Sequence, residues 1–170
     1  MSAVFLKPQV TNGIEFNQVR GNPGFQWMLF VHFIRAIAEF EGFFIDPSDS
    51  RYPSIAQKNN NPGNLRPIGA STGFRSFDTP NEGWERLAHQ AMLNINRGLT
   101  VREFFLGKPG VYPGYAPLGD NEPEVMENYI NHVKNRTGIN ESLPLLVYFQ
   151  DIATEGGPFD YYHRWAPPNR

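Results

Sequence analysis

Residues 27–44 read WMLFVHFIRAIAEFEGFF, an apolar helical run that ends in Glu39, Glu41 and Gly42. Its periodicity predicts a helix from Trp27 to Glu41, with Gly42 as the residue that stops it. At about 100° per residue, Phe30, Ile34, Ile37 and Glu41 fall in one narrow stripe. Glu41 therefore continues the apolar face. Glu39 points to roughly the opposite side, four residues after Arg35, where an exposed ion pair worth a few tenths of a kcal/mol accounts for it. Glu41 sits where the helix dipole is negative and disfavours a carboxylate. Burial against Phe40, Phe43 or Phe44 would raise its pKa further. A glutamate that keeps its proton near working pH is what a general acid requires. The plainer alternative is a side chain that reaches solvent at a frayed helix end.

Away from this helix, turn signals at Asn12-Gly13 and Gly21-Asn22-Pro23-Gly24 suggest an irregular N-terminal arm over residues 1–26. Residues 43–64 read as a long polar loop. Leu65 to Phe77, with turns at Gly69 and Gly73, is expected to form a small hairpin. Thr79, Pro80 and Glu82 form an expected capping box at the head of a helix that Gly98 ends. Its apolar positions are Trp84, Leu87, Ala88, Ala91, Met92 and Ile95. A second box, Thr100 with Glu103, opens a short helix into Phe105. Asp120 or Asn121 is expected to cap the next helix, which Gly138 closes. The last helix covers about Pro144 to Thr154. No linker divides the chain, so one domain over 27–155 is expected, with an aromatic tail over 156–170 packing on it.

Between the first two long helices lies NNNPGNLR, residues 59–66, with four amides, a Pro-Gly turn and an arginine. Amides donate and accept together, which suits sugar hydroxyls and acetamido groups. A tight turn whose asparagines cap their own backbone is the simpler account for Asn59 and Asn60.

The ordered set of helix-EGF, NNPGNLR, GFRSF, a Gly-Trp-bearing helix and YAPLGDNEPEVMENYINHV resembles the lysozyme-like superfamily. It is most similar to the phage-type and bacterial muramidases related to soluble lytic transglycosylases. The likeness runs from about Ile34 to Gly138. It implies a mainly α, α+β lysozyme-like domain with a small β-hairpin, and Glu41 as the catalytic acid. It implies a sugar cleft lined by Asn61, Asn64, Arg66 and Ser76, with Tyr115 and Tyr129 facing it. It also implies a single-glutamate mechanism. Glu41 would protonate the glycosidic oxygen of peptidoglycan strands and then take the proton of the sugar's own 6-hydroxyl, leaving a 1,6-anhydro product. Hydrolysis through a second carboxylate stays open. Asp46, Asp49 and Asp78 are the available partners, but each has a turn or cap role to explain it.

Composition narrows the alternatives. The 170 residues suffice for a packed core, and the absence of cysteine excludes disulfides and thiolate chemistry. Fifteen basic and seventeen acidic residues, without a basic run, argue against a nucleic-acid partner. Aromatics at 14% point to a well-filled core. His32, His89, His132 and His163 show no metal-ligand spacing, and no cofactor motif or nucleophile elbow is present. MSAVFLKPQV carries no readable signal peptide, and no stretch is long enough to span a bilayer. The expectation is a soluble monomer, made in the cytoplasm, that reaches the wall after lysis, injection or partner-dependent export. The rival reading is a lysozyme-like structural or wall-binding part of a phage particle or secretion apparatus. A net charge of -2 favours that rival, since an anionic wall attracts a positive surface.

Overall fold

The computed structural model describes residues 14–67, 72–116 and 121–153, without the side chains of residues 16 and 17. The helices are α1 (Phe16–Val19), α2 (Pro23–Phe40), α3 (Ile55–Lys58), α4 (Pro80–Asn96), α5 (Val101–Leu106), α6 (Pro123–Thr137) and α7 (Leu146–Ala153). The fold is mainly helical. The aromatic tail and the first half of the N-terminal arm lie outside the described residues.

Helix α2 is the central element. Its buried residues include Leu29, Phe30, His32, Phe33, Ile34, Ala36 and Ile37, which spread around much of its circumference. A helix covered on so many sides must have neighbours on several, and α4, α6 and α7 all pack on it. Phe33 meets Phe104 of α5 edge-on at 5.3 Å, and Phe30 meets Phe149 of α7 edge-on at 6.0 Å. Each such buried side chain contributes about 1.5–3 kcal/mol through its apolar area.

The start of α2 corrects the sequence reading. It begins at Pro23 rather than Trp27, because Asn22 is its N-cap, accepting from the Phe25 N–H at 3.1 Å, and Pro23 takes N1. The same Asn-Pro pair that signals a turn also signals a helix start. Residues 16–19 are helical too, so the arm is not irregular throughout.

The capping expectations fare unevenly. Thr79 accepts from the Glu82 N–H, but Glu82 reaches back to the N–H of Asp78 at 3.2 Å, one residue before the cap, so the box is not reciprocal. Thr100 and Glu103 do form a reciprocal box. Glu122, not Asn121, is the N-cap of α6 and makes no side-chain capping bond; Pro123 at N1 supplies the start, and Asp120 lies outside the described residues. Gly42, Gly98 and Gly138 follow their helices with positive φ, as expected.

Two further departures shape the site. The loop over 43–64 contains α3, capped by a reciprocal box between Ser54 and Gln57. The Ser-x-x-Gln spacing is its local signal. Between Leu65 and Phe77 the described residues carry no strand. The two arms meet through the Arg75 N–H donating to the Leu65 carbonyl at 2.8 Å, and the hairpin's expected tip around Gly69 lies outside the described residues.

Candidate functional site

Glu41 is the C-cap of α2, with its N–H donating to the Ile37 carbonyl. The next two N–H groups close a Schellman motif: Gly42 donates to the Glu39 carbonyl at 3.1 Å and Phe43 to the Ala38 carbonyl at 3.0 Å. Gly42 sits at φ +83°, which a residue with a Cβ adopts only under strain. The helix end is therefore not frayed. Ser54 Oγ donates to the Gly42 carbonyl at 2.7 Å and Gln57 Nε2 to the Ile45 carbonyl at 2.9 Å, so α3 clamps the segment after Glu41.

The Glu41 carboxylate is gripped from two sides. Tyr129 Oη donates to Oε2 at 2.7 Å, and Asn64 Nδ2 donates to Oε1 at 2.9 Å. Loss of water around the carboxyl pushes its pKa up; the two donors and the nearby Arg66 guanidinium pull it down, and the upward effect wins. The Tyr129 and Tyr115 phenols are held well above their usual value, first by burial and then by the Glu41 charge, so both remain protonated donors.

Tyr129 is a support beneath Glu41, not an open cleft face. Its ring is buried, stacked on Phe40 at 4.1 Å and tilted on Phe105 at 4.4 Å. Tyr115 stacks on Phe104 at 5.4 Å and its hydroxyl donates to the Gly63 carbonyl, which pins the Asn-rich loop from behind.

Within that loop the amides divide by role. Asn61 is fully buried, and this overturns its placement on the sugar cleft. Its Nδ2 donates to the Leu65 and Arg75 carbonyls and its Oδ1 accepts from the Leu65 N–H, all at 2.9 Å. It is a clasp holding the two arms together. Asn60 donates to the Phe77 carbonyl at 3.0 Å, tying the loop to the approach to α4 rather than capping its own turn. Asn64, at φ +47°, turns its amide to Glu41. Its Oδ1 is buried and has no hydrogen-bond partner among the described residues. Arg66 lies 5.5 Å from the Phe74 ring centroid. Ser76 is exposed and stands outside the hydrogen-bonded group around Glu41.

The loop rests directly on α4. A Cβ at Gly83 would lie 2.0 Å from the Asn60 carbonyl oxygen, so only glycine permits this approach. One residue on, Trp84 meets Phe43 edge-on at 5.5 Å and Phe44 at 6.0 Å, with the Arg35 guanidinium 4.5 Å from the Phe44 ring centroid. Phe44 is 45% exposed, and exposed Tyr52, Ile55 and Phe74 belong to the same stretch of chain. Sequence periodicity did not single out this aromatic group; the adjacency of Phe43-Phe44 to Glu41 was its signal.

Of the three aspartates, Asp46 and Asp49 are engaged locally. Asp46 Oδ1 accepts from the Ser48 N–H and hydroxyl. Asp49 is held at about 2 by the Arg51 side chain and N–H. Asp78 is exposed at the head of α4. The charge bearing on Glu41 is that of Arg66.

Glu39 also departs from expectation. Arg136 of α6 grips it with both prongs, at 2.9 and 2.7 Å, and His132 Nε2 lies 3.2 Å from it, while Arg35 is the more distant partner at 3.8 Å. Its side chain is only 17% exposed. Among the described residues no group of three His, Asp or Glu could hold a metal, and no helix is long and apolar enough to cross a membrane. No protein-family model matches the chain, and no curated protein or solved structure matches it either.

Proposed function

We propose that the chain is a peptidoglycan-cleaving glycosidase of lysozyme-like fold, a lytic transglycosylase or muramidase that cuts the MurNAc-GlcNAc β-1,4 bond with Glu41 as acid and base. The observation that carries this reading is the state of Glu41: a carboxyl raised in pKa by burial, yet fixed in place by Tyr129 and Asn64. A raised pKa keeps the proton available for donation, and fixed geometry aims it.

In the first step Glu41 passes its proton to the glycosidic oxygen as the C1–O bond breaks. The carboxylate that results is stabilised by the Tyr129 and Asn64 donors and the Arg66 charge. In the second step the sugar's 6-hydroxyl oxygen bonds to C1 while Glu41 takes its proton, which restores the acid and leaves a 1,6-anhydro end. The Asp46 and Asp49 carboxylates are engaged by Ser48 and Arg51, which favours this route over a water positioned by either of them. The ring faces of Phe44 and Trp84 offer apolar contact for a pyranose.

Mass spectrometry of digested peptidoglycan tests the reading. Anhydro muropeptides, lighter by one water than reducing ends, are expected from wild type and absent with Glu41→Gln. Reducing ends alone would mean a hydrolase. No product from walls of several bacterial types would favour the structural or wall-binding reading, which the net charge of -2 supports.

A further inference from the structure

The last turn of α2 and one face of α6 meet through three polar or aromatic contacts in succession. Tyr129 donates to Glu41, the Tyr129 ring lies on Phe40, and Arg136 with His132 takes Glu39. Positions 129, 132 and 136 follow the i, i+3, i+7 spacing of a single helical stripe. The contacts differ in what they constrain. The Phe40 and Tyr129 rings are stacked with only 22° between their planes, and flat faces can slide over each other at small cost. A two-pronged guanidinium–carboxylate pair cannot slide without losing one of its bonds.

We infer that the Glu39–Arg136 pair is a positioning device for the Glu41 site, setting the register of α6 against α2 so that the Tyr129 hydroxyl meets the Glu41 carboxylate. For its catalytic consequence the inference rests on the function proposed above. Glu39 touches no substrate in this scheme; it acts through Arg136, α6 and Tyr129. The ring stack supplies affinity between the helices, and the ion pair supplies the alignment.

The charged and titratable groups around the two glutamates belong to several elements. Glu41 is faced by Tyr129 from α6, by Asn64 and Arg66 from the Asn-rich loop, and by Tyr115 after α5. Glu39 is faced by Arg35 and His32 on its own helix and by His132 and Arg136 on α6. The Tyr129 bond favours the charged form of Glu41, so any variant that withdraws Tyr129 should raise the pH at which Glu41 titrates.

The test is a carbon-13 NMR titration of the Glu41 carboxyl in wild type, Tyr129→Phe, Arg136→Lys, Glu39→Gln and the Tyr129→Phe/Arg136→Lys double variant. Lysine keeps the charge of Arg136 but loses its fork. Tyr129→Phe should raise the Glu41 midpoint by about one pH unit, and Arg136→Lys and Glu39→Gln by about half of that. In the double variant Arg136→Lys should add nothing further, since its route through Tyr129 is gone. Wall-cleavage profiles should move their alkaline limb upward in the same order. A general loss of stability would lower the amplitude without moving the limb. An Arg136→Lys or Glu39→Gln midpoint equal to wild type, or a shift that persists in the Tyr129→Phe background, would overturn the inference. If wild type cleaves no wall, the proposed function fails, while the titration still decides the coupling.

Discussion

The Tyr129 hydroxyl lies 2.7 Å from Glu41 Oε2, joining two residues 88 positions apart in the chain. The bond crosses from α6 to the C-cap of α2, and the Phe40 ring beneath it stacks on Tyr129 at 4.1 Å. It places a donor whose own proton is held firmly beside a carboxyl that burial makes reluctant to ionise. The pair therefore tolerates both states of Glu41: neutral before proton donation and charged after it.

Replacing Glu41 should separate stability from activity. Its folded pKa lies above the ordinary 4.5, so the folded state holds a proton that the unfolded chain gives up as pH rises through that value. Glu41 thus costs stability increasingly above pH 4.5, up to its folded pKa, and nothing below that window. Glu41→Gln is expected to match or exceed wild type in urea melts at pH 7, with the gap closing at pH 4. Wall cleavage should fall by about a thousandfold or more if the only acid is gone. A variant that melts earlier than wild type at pH 7 would contradict the direction of the Glu41 shift.

Asn61 and Asn64 should differ in how their loss divides between stability and binding. Asn61→Ala removes three buried hydrogen bonds and should cost about 1–3 kcal/mol or more in stability. Asn64→Ala removes one donor from Glu41 and puts Ala at positive φ, so it should cost about 1 kcal/mol in stability while weakening saccharide binding by about 1–3 kcal/mol. Denaturation curves beside isothermal titration with a chitooligosaccharide distinguish the two.

Gly83→Ala should unseat the Asn-rich loop. The added methyl would meet the Asn60 carbonyl oxygen at 2.0 Å and Pro62 Cδ at 2.7 Å, one of them rigid backbone. A loss of about 1–3 kcal/mol is expected from overpacking. Amide chemical-shift changes should concentrate in residues 59–66. Changes confined to α4 would show that the loop is not seated there.

The aspartates should be dispensable. Asp46→Asn, Asp49→Asn and Asp78→Asn are each expected to retain anhydro-product formation within about threefold of wild type, since surface changes away from packed features stay near ±0.5 kcal/mol. Loss of product in one of them would identify a second catalytic carboxylate and restore the hydrolytic route.

Much of the architecture was legible from local signals. The periodicity of residues 27–41, the Thr100–Glu103 box, the Gly42 stop and the Gly138 closure all reappear. These signals act within a turn or two of chain, where neighbouring side chains and backbone groups meet whatever the rest of the molecule does. Ser54 and Gln57 carried the same kind of signal for α3. Asn22-Pro23 was ambiguous because turns and helix starts share residue types. The N-cap of α6 is Glu122 rather than Asp120 or Asn121 because Pro123 takes N1, where its missing N–H suits a first turn without a side-chain cap.

The sequence by itself determined that a glutamate ends the apolar stripe of the central helix. It also determined that an asparagine-rich turn follows, because both are properties of spacing along the chain. Only the tertiary structure decided which asparagine supports the loop and which reaches Glu41, since Asn61 and Asn64 differ in what packs around them rather than in residue type. It likewise gave Glu39 its grip from Arg136, 97 residues away, where spacing had offered only Arg35. Hydrogen bonds of this kind depend on the docking of one helix against another. The packing of whole faces sets that docking, and no local stretch contains it.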